Sequence, residues 1–196
     1  MTTITDFSID DVKTTQNGAK VASIKGGDGN ALEYLAEEFL TIPFEPSTFI
    51  ESTSSRKDLV INITEEMRKD LARLDAMLIV YISEHSERLL KKRLSLEQVR
   101  AAYTPCVRTA KDYPPSIKTK VELGEGKYAV ACWDDCGESI AIPSPWRDFV
   151  IKPRIEVTNL WIFSGKFGPA LRMTDALLQP KPESQKTERC SPFKAI

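Results

Sequence analysis

Lys57-Asp58-Leu59-Val60-Ile61-Asn62-Ile63-Thr64-Glu65-Glu66-Met67 is the stretch in which the chain changes its period. Up to Ile63 polar and apolar residues alternate, which places Leu59, Ile61 and Ile63 on one side of a half-buried strand. From Met67 onward the apolar positions are Met67, Leu71, Leu74, Leu78 and Ile82, the repeat of a helix with one apolar stripe. Thr64 stands at the switch, where a hydroxyl can accept from an orphan amide. Glu65 and Glu66 follow it and suit the positive end of the helix dipole. Leu89 continues the stripe, so the helix is expected to run to about residue 90. Lys91, Lys92 and Arg93 then fall at its negative end. A stripe of this kind faces a core.

Outward from this switch the chain reads mostly as β. On the N-terminal side, extended segments are broken by the turn pair Asn17-Gly18. Lys20-Val21-Ala22-Ser23-Ile24-Lys25 alternates as a strand does, and Gly26-Gly27-Asp28-Gly29-Asn30 is a loop. Residues 31–40 fit either an amphipathic helix or a strand with a bulge, and the strand is preferred. Ile42-Pro43-Phe44-Glu45-Pro46-Ser47-Thr48-Phe49 is excluded from helix by its two prolines.

On the C-terminal side, Ser95-Leu96-Glu97-Gln98 is a capping box opening a short helix to about Tyr103, and Pro105 closes it. Tyr113-Pro114-Pro115 breaks the chain again. Strands are expected at 117–123, 127–133, 151–157 and 160–163. Turns are expected at Asp134-Asp135-Cys136-Gly137 and Ser164-Gly165-Lys166-Phe167-Gly168. Residues 171–178 are a last strand or short helix. From Pro180 the chain is polar and proline-bearing, so residues 180–196 are expected to form a disordered tail behind a single domain spanning 1–179. Five to seven strands around a long and a short helix make an α+β or mainly-β domain of the open-barrel type.

Composition narrows the function. With 41% hydrophobic residues the chain can bury a core. The longest apolar run, Ala76-Met77-Leu78-Ile79-Val80-Tyr81-Ile82, is far short of the roughly 20 residues that span a bilayer. The N-terminus lacks the basic start and apolar stretch of a signal peptide, so an intracellular location is expected. The four cysteines, Cys106, Cys132, Cys136 and Cys190, are then free thiols. Cys132 and Cys136 lack the second close pair that a structural zinc site needs, and His85, the single histidine, lies in a helical stretch. They read as one core cysteine and one turn cysteine, and no cofactor is expected.

The net charge of −1 conceals a strong asymmetry. Residues 1–45 hold three basic and eight acidic side chains. Residues 88–120 hold nine basic and two acidic, and residues 147–172 hold five basic and two acidic. A basic middle in a neutral chain suits a face that meets a polyanion.

Catalytic constellations are missing. Gly26-Gly27-Asp28-Gly29 has neither the lysine nor the helix of a phosphate loop. His85 has no nucleophile elbow to serve. Asp134-Asp135 and Glu65-Glu66 are adjacent acids, which read as a turn and a helix start. An enzyme is therefore not expected. Basic residues interleaved with aromatic ones are present, the combination that holds single strands through phosphates and stacked bases. One stretch holds Tyr103, Arg108, Lys111, Tyr113, Lys118 and Lys120. A second holds Trp133, Trp146, Arg147, Lys152 and Arg154. A third holds Trp161, Phe163, Lys166, Phe167 and Arg172. The expected phosphate contacts are Lys92, Arg93, Arg108, Lys111, Lys118, Lys120, Lys152, Arg154 and Lys166. The expected stacking residues are drawn from Tyr103, Tyr113, Trp133 and Phe167, while Trp161 and Phe163 lie in an apolar strand and read at least as well as core.

The order of segments is also familiar. Ile42-Pro43-Phe44 with Ser47 and Phe49 precedes the strand at 57–63 and a helix carrying Leu74-Asp75. Leu94-Ser95-Leu96-Glu97-Gln98-Val99, Tyr103-Thr104-Pro105 and Tyr113-Pro114-Pro115-Ser116-Ile117-Lys118 come next. Ile151-Lys152-Pro153 and Leu160-Trp161-Ile162-Phe163-Ser164-Gly165-Lys166-Phe167-Gly168 stand near the end. Over roughly residues 30–180 this arrangement resembles the single-stranded-DNA-binding proteins of large DNA viruses and some phages, the T7-type OB-fold family. The resemblance implies an OB barrel with a helix between strands and non-catalytic coating of single-stranded DNA in replication, recombination or repair. It implies polymerase, helicase or primase as partners and leaves a homodimer open. Such proteins often end in an acidic tail, whereas residues 181–196 here carry four basic and two acidic side chains. An RNA-binding module on the same barrel, and a viral structural component that uses the stripe Met67–Ile82 as a subunit interface, are the rival readings.

Overall fold

The structure is a computed structural model and describes residues 6–15, 18–48 and 54–182. Asn17, Phe49, Cys190 and the tail beyond residue 182 lie outside the described residues. The strands are β1 (Phe7–Ile9), β2 (Lys13–Thr14), β3 (Lys20–Gly26), β4 (Leu32–Leu35), β5 (Leu40–Thr41) and β6 (Arg56–Asn62), then β7 (Val107–Ala110), β8 (Tyr113–Glu122), β9 (Ala131–Trp133), β10 (Ser139–Ile140), β11 (Phe149–Phe163) and β12 (Lys166–Pro180). Between β6 and β7 stand α1 (Glu65–Glu84), α2 (Ser86–Leu90) and α3 (Leu96–Ala102).

Five strands close into a barrel in the order β11-β5-β6-β8-β12, with β12 returning to β11. The fold is mainly β and OB-fold-like, as the sequence suggested. β11 is its spine: it pairs with β12 along its whole length on one side, and with β5, β4 and β3 in succession on the other. The barrel has two short seams, one where β5 meets β6 at the single pair Thr41 with Asn62 and one between β8 and β12. At the second seam the strands meet at a single parallel register pair, Arg172 with Lys120, before they splay apart.

Alternation decides which way each strand faces. Leu59 and Ile61 of β6, Ile117 and Val121 of β8, Ile155 and Val157 of β11 and Met173 of β12 are all buried inside. Their odd-numbered parity sends Asp58, Lys118, Lys120 and Glu156 to the outer face, and Arg172 goes with them. The stripe of α1 closes onto the same core, with Met67, Leu71, Leu74, Leu78, Ile82 and Leu89 all buried. Burying one such side chain is worth about 1.5–3 kcal/mol, so the stripe anchors the helix firmly. Thr64 accepts from the Met67 amide at 3.3 Å, and Ser95 and Gln98 form the complete capping box.

Several boundaries move for identifiable reasons. The expected single helix to residue 90 is interrupted at His85. There the Ser86 hydroxyl donates to the Ser83 carbonyl and accepts from the Leu94 amide, so a side chain competes with the helical ladder. Tyr113-Pro114-Pro115 opens β8 instead of breaking the chain. The prolines stand at the strand's start, and Pro115 still contributes its carbonyl, which accepts from Ile63. The strand expected from Lys127 begins only at Ala131, because the Ala129 amide turns back to the Gly126 carbonyl. Residues 151–157 and 160–163 belong to one long strand. Register shifts at Arg154/Ile155 and Val157/Asn159 bend it without ending it. The chain reverses between β11 and β12 through Ser164 and Gly165, both at positive φ, the geometry of a tight two-residue hairpin.

Candidate nucleic-acid interface

One row of charged side chains crosses the outer face of the barrel. In register order it reads Asp58 on β6, Lys120 on β8, Arg172 on β12 and Glu156 on β11. The Asp58 carboxylate bridges the ammonium groups of Lys120, directly opposite, and Lys118, on the diagonal. Its backbone is pinned by paired hydrogen bonds with Ser47, at 2.7 and 2.9 Å. Burial works to raise the Asp58 pKa, but hydrogen bonds and charge from Lys118 and Lys120 outweigh it and hold the carboxyl below its ordinary value. At the other end of the row, Arg172 donates to Glu156.

Aromatic faces lie beside these cations. The exposed Tyr128 ring lies against the Arg172 guanidinium, with Cζ 4.9 Å from the ring centroid, and Lys127 reaches the same ring at 5.6 Å. Further along β11 and β12 the register pairs Arg154 with Asp175, and Lys152 with Leu177. Leu177 in turn pairs with Trp133 of β9, so Trp133, Lys152 and Arg154 share the outer face with the charged row. Trp133 donates its indole N–H to Asp175 at 3.2 Å, which fixes the ring while leaving it partly exposed. Lys152 covers the Phe39 ring at 4.8 Å.

Where β8 and β12 splay, a groove of about 240 Å³ opens. Asp58, Lys118, Lys120 and Arg108 line one side, and Trp161 and Pro169 the other. Its end wall is Thr104-Pro105, held against β12 by the Thr104 amide bonding to the Phe167 carbonyl at 2.8 Å. A side chain at Gly168 would come within 2.4 Å of the Thr104 carbonyl, so only glycine permits this approach.

No family model matches the chain, and no curated protein does. Similar solved structures exist. The single-stranded DNA-binding protein from bacteriophage Enc34 is 8% identical over 96% of this chain and 98% of its own, with a TM-score of 0.46. The same protein in complex with ssDNA gives 7% identity, coverage of 90% and 97%, and a TM-score of 0.47. The single-stranded DNA-binding protein gp2.5 of bacteriophage T7 is 8% identical over 85% of this chain and 98% of its own, with a TM-score of 0.47.

The structure distributes the sequence-predicted residues unevenly. Arg108, Lys118 and Lys120 meet in the groove, and Trp133, Lys152 and Arg154 lie on the same outer face. Lys111 and Tyr113 extend outward in the β7–β8 hairpin, where Tyr113 is 73% exposed. Lys92 and Lys166 flank a separate groove of about 530 Å³ between the short helices and the β11–β12 hairpin, and Arg93 is exposed nearby. Lys166 there donates to the Ala101 carbonyl at 2.9 Å.

Two expected stacking residues must be withdrawn. Tyr103 is buried and gives its hydroxyl to Asp75 at 2.7 Å, and Phe167 is buried against the edge of the Tyr103 ring. Neither offers a face to a base. The apolar strand around Trp161 and Phe163 also behaves differently from a core segment. Phe163 sits at the hairpin tip, 71% exposed, and Trp161 is half-buried on the groove wall. Trp146 is core. Cys132 is buried and Cys136 lies exposed in the turn, where it joins Asp134 and Asp135. Sequence reading missed Tyr128. Its signal was the dipeptide Lys127-Tyr128 directly after Gly126, a cation and a ring at a turn.

Proposed function

We propose that this chain binds single-stranded DNA with little regard to sequence and performs no catalysis of its own. The observation that carries this reading is the outer face of β8, β12 and β11, where cations and accessible ring faces alternate within one continuous strip. Arg108, Lys118, Lys120, Arg172, Arg154 and Lys152 meet phosphates, and Tyr128 and Trp133 take bases, with Trp161 at the groove wall. A strip of this composition favours unpaired bases, because only they can turn a face toward a protein ring. Residues 1–179 form the binding domain. The corresponding task inside the cell is coating of single strands during replication, recombination or repair, with replication proteins as partners.

Fluorescence anisotropy of a labelled oligo-dT, titrated at low and moderate salt, tests the reading. Duplex DNA and poly-U serve as competitors. Binding is expected to be salt-sensitive and resistant to duplex. Displacement by duplex at equal concentration, or no binding at low salt, overturns it. Preferential displacement by poly-U assigns the strip to RNA, since the 2′-hydroxyl is the handle that distinguishes the two.

A further inference from the structure

The central cations of the strip are already occupied by carboxylates from the protein itself. Asp58 takes Lys118 and Lys120 from one side, and Glu156 takes Arg172 from the other. Three positive groups thus share two negative ones, which leaves the cluster with a net charge of +1. The carboxylates are the deeper partners. The Asp58 side chain is 11% exposed, whereas those of Lys118 and Lys120 are 33% and 44% exposed. The ammonium groups therefore face solvent across an anion that lies beneath them. Arg108, on the same groove, has no ion pair among the described residues.

We infer that Asp58 and Glu156 are resident counter-ions that occupy this strip when it is empty and compete with the phosphates of a bound strand. The inference rests on the single-strand reading of the same face. A carboxylate oxygen and a phosphate oxygen accept the same hydrogen bonds from an ammonium or guanidinium group. An incoming phosphate must share Lys118 and Lys120 with Asp58, or draw them away from it. Both anions repel the phosphate in the sharing arrangement. The fold thereby lowers the affinity of its own best-organised cations and leaves Arg108 and Lys152 as the unattenuated ones. Such a strip releases its strand readily, which suits a protein that must later yield the strand to another.

The test is the oligo-dT titration on Asp58→Asn, Glu156→Gln and the double variant Asp58→Asn/Lys120→Gln, each first shown to be folded by circular dichroism. Asn and Gln keep the size of the side chain and remove its charge. D58N is expected to bind about tenfold more tightly at low salt, from the loss of one close like charge. Its log–log salt slope should steepen by about 0.7 for each cation freed. The double variant restores the net charge of the cluster and is expected to return to near wild-type affinity, which a general change in folding would not do. E156Q should tighten binding in the same sense, and it carries the test if D58N does not fold. If D58N and E156Q bind as the wild type does or more weakly, the carboxylates only position the cations and the inference is overturned. If wild type itself does not bind, the single-strand reading has failed instead, so the two failures are distinguishable.

Discussion

Asp58 and Asp75 are both carboxylates drawn largely out of water, and the fold shifts their pKa values in opposite directions. Asp58 faces outward between two lysines and is held below its ordinary value, the lysines outweighing burial. Asp75 points inward from α1, and burial raises it despite hydrogen bonds from the Tyr103 hydroxyl and the Cys106 amide. Those two bonds tie the long helix to the end of α3 and the start of β7. Under the proposed function, the contrast separates a binding face from a stabilising core. Charge on the outer face is compensated by other charge and can be exchanged with a ligand. Charge in the core is compensated by fixed dipoles, and nothing outside can replace them.

The largest effect should come from the inner site. Asp75→Ala leaves the Tyr103 hydroxyl and the Cys106 amide buried without an acceptor, at about 1–3 kcal/mol for each orphaned group. Urea unfolding should therefore show a loss of about 3 kcal/mol, while the folded fraction keeps its affinity for oligo-dT. A binding defect in the folded fraction would break the separation.

Next come the aromatic residues, which divide the same way. Tyr128→Ala and Trp133→Ala should each weaken oligo-dT binding by roughly 1–3 kcal/mol, the value of one stacked base. Their effect on stability should stay near about 1 kcal/mol each, from the lost Arg172 contact for Tyr128 and the lost hydrogen bond to Asp175 for Trp133. Tyr103→Phe should differ in binding, losing about 1 kcal/mol of stability with its hydrogen bond and nothing in binding. If Y103F weakened binding as much as Y128A, the assignment of rings to faces would be wrong.

Acid should separate the two aspartates without any ligand. Asp58 has a folded pKa below its unfolded one, so its contribution to stability is present above about 4 and is lost as pH falls further. Asp75 has a folded pKa above its unfolded one, so the folded state binds that proton more tightly. Its charged form costs stability at neutral pH, and this cost is relieved as pH falls from the raised native value to about 4. Denaturant melts from pH 7 to 3 should show Asp58→Asn removing part of the acid loss. Asp75→Asn should remove an opposing gain. Parallel curves for the two variants would contradict the opposite shifts.

Sequence reading recovered the features that period and capping dictate. The alternation at 57–63, the stripe from Met67 to Leu89 and the Ser95/Gln98 box are local signals, and the structure places each where its physics requires. Lys118 and Lys120 were legible as outward-facing for the same reason. Exposure of the aromatic residues was not legible, because it depends on which strand lies beside them. Tyr103 and Phe167 stand next to basic or turn residues, yet both are buried where α3 packs on β12. Phe163 sits in an apolar run, yet the hairpin carries it past the end of the sheet. Asp58 could be seen as an outward acid on β6, but not as the partner of two lysines on β8. That pairing belongs to a register set by strands more than fifty residues apart.

The smallest and most specific test concerns a cation with no resident carboxylate among the described residues. Arg108 lies opposite Ser116 at the mouth of the groove, while Arg88 is paired with Asp11 at 3.0 Å and reaches the Ile9 carbonyl, close to β1. If phosphates run along the outer strip, Arg108→Gln removes one contact from it, and the log–log salt slope for oligo-dT should become shallower by about 0.7. Arg88→Gln removes the same formal charge from the molecule and should leave the slope unchanged. Equal shifts for both variants would mean that the strand senses overall charge and not this face. A shift for Arg108 alone makes the counterion released there a measure of one phosphate held between β7 and β8.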